Sequence, residues 1–288
     1  MIRGKEQDGV ANVFCRPRDF IGNRFVYAVI SPRARGLSIG VNMNPDRVCN
    51  FDCIYCEVDR KAPVMDMQLD LNVMAEELDK TLELVRTGKI RERAAYAGLS
   101  DELLNLRHVA LSGDGEPTLC PNFIEAVEVV VHARARRPGG FFKIALITNG
   151  TGLDRPEVEQ GLQYFTSEDE IWIKLDAGTQ AYMDRVNHGN APLEKVVSNV
   201  MLVGKRRPII IQSLFPLVME QEPPREEIDE YIRLLIKLKG EGARISMVQV
   251  YSATRPMAHH DCGHLRLSAL SQIGRRIRAE TGLNAEVF

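Results

Sequence analysis

Three thiols stand at C-x₃-C-x₂-C in Cys49-Asn50-Phe51-Asp52-Cys53-Ile54-Tyr55-Cys56, with an aromatic residue just before the last. Three thiolates can hold three irons of a cubane [4Fe–4S] cluster, whose full complement is four cysteines. No fourth cysteine lies nearby, and Cys15, Cys120 and Cys262 share no spacing with the triplet or with one another. One iron is then left open to a small molecule, which points to chemistry rather than to structural stapling. Two plainer readings stand beside this one. A zinc-stabilised binding module normally shows two C-x₂₋₄-C or Cys/His pairs, and here the second half is missing. A disulfide set fits poorly with cysteines so tightly spaced in a chain that reads as cytosolic.

Other chemistry-bearing residues lie where short apolar runs end. Gly113-Asp114-Gly115-Glu116-Pro117 follows one such run, and its glycines permit positive φ and a close backbone approach. An ordinary strand-to-helix turn looks the same. Thr148-Asn149-Gly150 ends the next run, with Asn-Gly also a common turn. Lys174 and Asp176 close the run Trp172-Ile-Lys-Leu-Asp, two residues apart and so on one side of a strand. Inward charges on an apolar strand are costly unless paired or ligand-bound. Gln212 and Gln249 sit in apolar runs as candidate substrate or cofactor contacts, or as a structural hydrogen bond. Arg185, Asn187 and His188 read as substrate contacts or a polar loop. His259-His260-Asp261-Cys262-Gly263-His264 reads as a polar loop or a metal clip.

The elements that position these residues follow from periodicity. Strands are expected over Phe25–Ile30, Leu37–Met43, Arg107–Leu111, Phe142–Thr148, Ile171–Asp176, Pro208–Leu214 and Arg244–Tyr251. Asp70 is placed to cap a helix carrying Leu71, Met74, Leu78, Leu82 and Val85 on one stripe. Further helices are expected over Asn122–Arg136, Pro156–Tyr164, Thr179–Val186, Leu193–Lys205, Glu226–Lys239 and Ser268–Thr281. Strands alternating with helices imply a parallel sheet with right-handed crossovers. Six β/α steps between Leu37 and Tyr251 give the fold class: α/β, a partial (β/α)₆ TIM-like barrel. We expect one domain over residues 1–288, with a barrel core at about 37–252, an N-terminal extension (1–36) and a C-terminal extension (253–288). In such barrels the active-site groups sit on loops after the strands, and the cysteine loop follows the first core strand.

The chain has 288 residues, 44% of them hydrophobic, enough for a sizeable core, and a formal net charge of -2, which does not suggest a strongly basic nucleic-acid-binding domain. Basic runs such as Arg134-Ala-Arg-Arg137 lie on helical patterns and read first as solvated faces. Met1–Val10 is polar, and no apolar stretch is long enough to span a bilayer, so the expectation is a cytoplasmic protein without membrane contact.

The stretch Ser31-Pro-Arg-Ala-Arg-Gly-Leu-Ser-Ile-Gly-Val-Asn through the cysteines, with Ser112-Gly-Asp-Gly-Glu-Pro-Thr, Ile147-Thr-Asn-Gly and Lys174-Leu-Asp-Ala-Gly, resembles the radical SAM superfamily. It looks like the branch commonly grouped with tRNA wyosine-synthase-like iron–sulfur oxidoreductases, and the resemblance runs from about Tyr27 to Tyr251. The resemblance implies that Cys49, Cys53 and Cys56 ligate a [4Fe–4S] cluster and that S-adenosylmethionine chelates its open iron. Reductive cleavage of that cofactor would give methionine and a 5′-deoxyadenosyl radical that abstracts hydrogen from a substrate. It further implies cofactor contacts from Tyr55 at the adenine and from the loop Gly113, Asp114, Gly115 and Glu116, where Asp114 replaces the family's second glycine. A polar residue at Thr148 or Asn149 would face the ribose or methionine; the inward charges of Lys174 and Asp176 are candidates for the cofactor carboxylate and the ribose hydroxyls, or for pairs with groups on other barrel strands. RNA is the leading substrate class, a protein or peptide the alternative, and flavodoxin or ferredoxin the implied external electron donor. The C-terminal extension is expected to close the barrel bottom or drape its open side, with Arg255 and His259–His264 toward substrate.

Overall fold

The computed structural model describes residues 13–60, 67–136, 141–255, 257 and 262–288. An antiparallel ribbon leads in: β1 (Val26–Ser31) pairs with β2 (Gly36–Asn42), Tyr27 opposite Gly40. From β2 onward every neighbour in the large sheet is parallel. The strands β3 (Leu106–Ser112), β4 (Lys143–Thr148), β5 (Glu170–Lys174), β6 (Ile209–Leu214) and β8 (Ile245–Tyr251) follow in spatial order. With β2 they are the six core strands that periodicity predicts.

The helices between them form for local reasons. Asp70 accepts from the backbone N–H groups of Asn72 and Val73 and starts α1 (Leu71–Arg86). Its apolar stripe buries Met74, Leu78 and Leu82. Ser100 caps the short α2 (Asp101–Leu104) before β3. Then come α3 (Phe123–Ala135) and α4 (Pro156–Gly161), the latter opening on proline, whose missing N–H costs nothing at a first turn. Thr179 accepts from Tyr182 N–H at the start of α5 (Gln180–Asn187). The helices α6 (Leu193–Arg206) and α7 (Arg225–Gly240) flank β6. The curled eight-stranded sheet with helices on its outer face is a partial TIM-like barrel.

Two parts of the chain depart from the expected pattern. After α8 (Leu267–Thr281) and its left-handed cap Gly282, the three residues of β10 (Ala285–Val287) join the sheet parallel to β8. Much of the C-terminal extension is thus an eighth strand at the edge of the sheet and a helix packed on α7. Before it, β7 (Pro216–Val218) and β9 (Cys262–His264) form a separate antiparallel pair beyond the ends of β6 and β8. Among the described residues the sheet stays open: β1 pairs with β2 and, by one bridge at Ala28, with Asp19, while β10 pairs with β8, and β1 and β10 do not pair with each other. The β1–β2 turn reaches across this seam, where Arg35 pairs with Glu286 at 2.6 Å.

Candidate active site at the strand ends

The cysteine loop leaves the C-terminal end of β2 and is tied down on both flanks. Asp52 N–H and Ile54 N–H donate to the carbonyls of Asn187 and Val186 at the end of α5, both at 3.0 Å. On the other side Glu116 N–H donates to Val48 O at 2.9 Å. Backbone donors or side chains meet each thiol: Phe51 N–H at 3.5 Å from Cys49 Sγ, Val58 N–H at 3.4 Å from Cys56 Sγ, and Asn187 Nδ2 at 3.3 Å from Cys53 Sγ. Arg60 Nη2 lies 3.8 Å from Cys56 Sγ and also donates to Asp114 O, while Nη1 donates to Arg47 O. Donors aimed at sulfur are what a cluster-bound thiolate needs.

Burial raises the thiols: Cys49 is pushed up to about 12, with the Glu116 carboxylate adding to the effect, and Cys53 to about 11. Without iron these groups are thiols, and loading must displace their protons. Among the described residues no three His, Cys, Asp or Glu side chains are placed to hold one metal ion together. A cubane does not ask for that, because each thiolate goes to a different iron, whereas one zinc ion does. Two buried polar atoms beside the loop lack any hydrogen-bond partner, Asn44 Oδ1 and Arg60 Nε. The donor set and these orphaned atoms fit a cluster and a polar cofactor here.

The glycine loop is shaped by the cysteine loop. Gly113 has φ +131, and a Cβ there would meet Asn42 Oδ1 at 2.2 Å; a Cβ on Gly115 would meet Val48 O at 2.1 Å. The close approach that requires glycine is therefore made to the segment carrying Cys49. Asp114, the residue in place of the family's second glycine, is held by Arg18 at 2.6 Å and Asn42 Nδ2 at 2.8 Å. Glu116 turns inward: its buried carboxylate accepts from Thr118 N–H, Thr118 Oγ1, Thr148 Oγ1 and Asn149 N–H. Burial still holds its pKa above the ordinary value against those four bonds. Asn149 continues the stitching, with Nδ2 donating to Asn50 Oδ1 at 2.8 Å. So the side chains of Glu116, Thr148 and Asn149 lock the second and third strand ends to the cysteine loop.

At the fourth strand end β5 stops at Lys174, and Asp176 lies two residues beyond it, not within the strand. They nonetheless face one another at 3.4 Å. Asp176 accepts from Leu214 N–H at 2.8 Å, from Asn187 Nδ2 at 3.0 Å and from Tyr55 OH. Tyr55 OH in turn accepts from Asn187 Nδ2 at 2.9 Å. Burial first, and Asp176 second, raise the phenol well above its ordinary pKa, so it stays a donor. Lys174 donates to Tyr251 OH at 3.0 Å and lies 4.6 Å from the Tyr55 ring centroid. Burial alone would lower its pKa, but Asp176 and Tyr251 outweigh burial and hold it charged.

Asn187 thus joins Cys53, Tyr55 and Asp176, a junction that sequence leaves as a polar loop. Arg18 and Arg60 carry no sequence signal that separates them from other surface arginines. Gln212 and Gln249 are buried neighbours in register and bond each other at 2.9 Å, the structural one of their two readings. Arg255 pairs with Glu57 at 3.2 Å and joins the cavity wall. His264 bonds Ala253 O at 3.1 Å, and Cys262 is buried in β9. His259, His260 and Asp261 lie outside the described residues. A cavity of about 290 Å³ runs from Tyr55 and Cys56 down into the barrel, past Tyr251, Lys174 and Trp172 to His108 and Arg33.

Comparison with known proteins agrees with this layout. The family model described as the Radical SAM superfamily matches residues 43–235. A UPF0026 protein of Helicobacter pylori is 26% identical over 177 residues, 61% of this chain and 49% of its own length. The chain thus spans about half the length of the curated relatives first matched. A solved structure of TYW1 with a lysine–pyruvate adduct bound superposes with a TM-score of 0.57 at 14% identity, covering 97% of this chain and 90% of that one. SuiB of Streptococcus suis bound to S-adenosylmethionine gives a TM-score of 0.53 at 13% identity, over 84% of this chain and 45% of that one. These likenesses concern the fold. Among the described residues no helix is long and apolar enough to cross a membrane.

Proposed function

Because the chain belongs to the radical SAM superfamily, enzymes that use a [4Fe–4S] cluster and S-adenosylmethionine, we propose that Cys49, Cys53 and Cys56 hold the cluster at the mouth of this partial barrel. When bound, the reduced cluster supplies the electron that splits S-adenosylmethionine into methionine and a 5′-deoxyadenosyl radical, which takes a hydrogen atom from the substrate. The observation that carries the assignment is the convergence of N–H donors on three thiols after the C-terminal end of β2, beside a glycine loop packed closely against Val48 O, next to Cys49. In this reading the backbone of Gly113, Asp114 and Gly115 binds the cofactor's methionine part, and Glu116, Thr148 and Asn149 keep that backbone in place. Tyr55 faces the adenine. Lys174, charged and reaching the cavity, is the cation for the cofactor carboxylate. Asp176, engaged by Leu214 N–H, Asn187, Tyr55 and Lys174, orients Tyr55 and Lys174 beside the ribose.

For the substrate we favour RNA. The sequence motifs resemble the tRNA wyosine-synthase-like branch, the fold is similar to that of TYW1, and the cavity wall alternates cations with aromatic rings, which suits a base and a phosphate. Electrons come from an external donor of the flavodoxin or ferredoxin class, and residues 1–288 act as one catalytic domain.

The test is anaerobic. S-adenosylmethionine added to the reduced protein should change the electron-paramagnetic spectrum of the cluster, and 5′-deoxyadenosine should form slowly without substrate. Incubation with deuterated RNA or peptide fractions then shows which one delivers deuterium to 5′-deoxyadenosine. An unchanged spectrum at saturating cofactor refutes the assignment; deuterium from peptides alone refutes RNA.

A further inference from the structure

Four lysine or arginine side chains line the barrel cavity: Arg18, Arg33, Lys174 and Arg255. Three have a carboxylate. Arg18 pairs with Asp114 at 2.6 Å, Lys174 with Asp176 at 3.4 Å and Arg255 with Glu57 at 3.2 Å. Arg33 pairs with no carboxylate among the described residues, and its Nε is buried without a hydrogen-bond partner. Its guanidinium is stacked 4.1 Å from the centroid of the Tyr251 ring, which fixes its plane but satisfies none of its in-plane donors. Withdrawing a guanidinium donor from water without an acceptor is costly. An arginine held this way is a preformed fork for a planar or tetrahedral oxyanion.

Its position gives the fork a purpose. Arg33 sits in the β1–β2 turn, before β2, whereas the cysteine loop follows β2. The Arg33 side chain nonetheless reaches toward the strand ends: its guanidinium stacks at 4.1 Å on the Tyr251 ring, and Lys174 Nζ lies 5.3 Å from the centroid of that same ring. The wall here also carries Ser31, Ser38 and His108. Burial lowers the His108 pKa to about 4, so its imidazole is neutral and can offer one N–H or one lone pair. The Tyr251 ring under Arg33 carries the hydroxyl that Lys174 holds, so one ring lies between the two cations.

We infer that Arg33 binds an oxyanion of the substrate, a carboxylate or a phosphate, in the barrel cavity across the Tyr251 ring from Lys174 and so anchors the substrate with its reacting carbon toward the cluster. This rests on the reading of the cavity as the reaction chamber, but its test needs no turnover.

The chain's one tryptophan, Trp172, lines the same cavity, its ring 5.1 Å from that of His108. Its emission therefore reports on the site in the cluster-loaded protein. Inorganic phosphate and acetate are titrated separately at constant ionic strength. A saturable change is expected with at least one of them. Arg33→Met should weaken it about ten- to hundredfold, the loss of a charge-assisted fork, and Arg33→Lys should weaken it less. Arg35→Met removes the same charge two residues away, outside the cavity wall, and should leave the titration as in wild type. Preference for phosphate assigns the anion to a nucleotide, preference for acetate to a carboxylic acid. No saturable change with either probe, or equal affinity in wild type and Arg33→Met, overturns the inference. If Arg33→Met does not fold, equal affinity in Arg33→Lys and wild type overturns it, because lysine keeps the charge and loses the fork. Failure of the radical assignment shows up separately, as a cluster spectrum unmoved by S-adenosylmethionine.

Discussion

Asn187→Ala is the sharpest perturbation of the site that leaves every expected iron ligand in place. The Asn187 side chain is buried, and its Nδ2 lies 3.3 Å from Cys53 Sγ, 2.9 Å from Tyr55 OH and 3.0 Å from Asp176 Oδ2. Truncation removes one charge-assisted bond to Asp176 and two weaker contacts. Asp176 keeps Leu214 N–H, Tyr55 OH and Lys174, so it is not stranded. A hydrogen bond to a charged group contributes roughly 1.5–3 kcal/mol, and truncating a small buried side chain adds a little, so the loss should be about 2–4 kcal/mol. At about 2–4 °C per kcal/mol, Tm falls by about 5–15 °C. The backbone bonds from Asp52 and Ile54 to the end of α5 survive the change, so the loop keeps its place and its iron. The cluster loses one N–H dipole directed at Cys53. That dipole favours the more negative, reduced state, so the midpoint potential should move to a more negative value. Anaerobic iron analysis, thermal unfolding and a redox titration followed by electron-paramagnetic resonance read these three outcomes. An unchanged midpoint with full iron would show that Asn187 does not bond the thiolate. Loss of iron would show that it is scaffold for the whole loop.

Replacing any one of Cys49, Cys53 or Cys56 by Ala should abolish the cubane, while Cys15→Ala should retain about four irons and four sulfides per chain; full iron in Cys53→Ala would sink the ligand set. Gly115→Val should lower iron content as well as cofactor affinity, because its Cβ meets Val48 O, next to Cys49; normal iron with weak S-adenosylmethionine binding would place the steric conflict on the cofactor instead. Burial lowers the His108 pKa from 6.5 to about 4, helped by Lys143 and Arg33 and opposed by Glu170. Between these values the unfolded chain binds more protons than the folded one, so stability should fall as pH drops from about 6.5 to about 4 and be flat above that window on this group's account. His108→Gln should flatten that part of the pH–stability curve in urea titrations; an identical curve would mean that His108 already reaches water.

The barrel core was legible because its signals are local. Asp70 and Thr179 cap helices where hydrophilic side chains precede apolar stripes, and strands buried on both faces read as apolar runs. The pairing of β7 with β9 was not legible, since each has three residues and their partnership spans some forty positions. β10 escaped for a similar reason: Ala285–Val287 is too short to show a period, and only the free edge of β8 makes it a strand. Asp176 marks the limit at a strand end. Alternation places it on the face of Lys174, which is correct, but whether the ladder continues that far depends on β6, whose Gln212 O takes the Leu175 N–H while Leu214 N–H turns to the Asp176 side chain.

The site divides along the same line. The cysteine triplet is readable because three ligands to one object must be close in a loop, and closeness in sequence is the cheapest way to achieve it. The residues that orient it come from everywhere else: Asn187 from the end of α5, Arg60 from beyond the loop, Arg18 from before β1 and Glu116 from the end of β3. Each is a common residue at an unremarkable spacing, and its meaning arises only when strand ends converge at one rim. Glu116 shows why motif and geometry must be read together. Its motif places it at the cofactor, yet its carboxylate is fully engaged by Thr118, Thr148 and Asn149, so its effect on a ligand passes through the backbone it holds rigid. Arg33 shows the converse. It stands in a stretch that sequence links to the family only as a string of residues, and what sets it apart is an absence that no sequence displays: among the cavity's cations, the one with no carboxylate among the described residues.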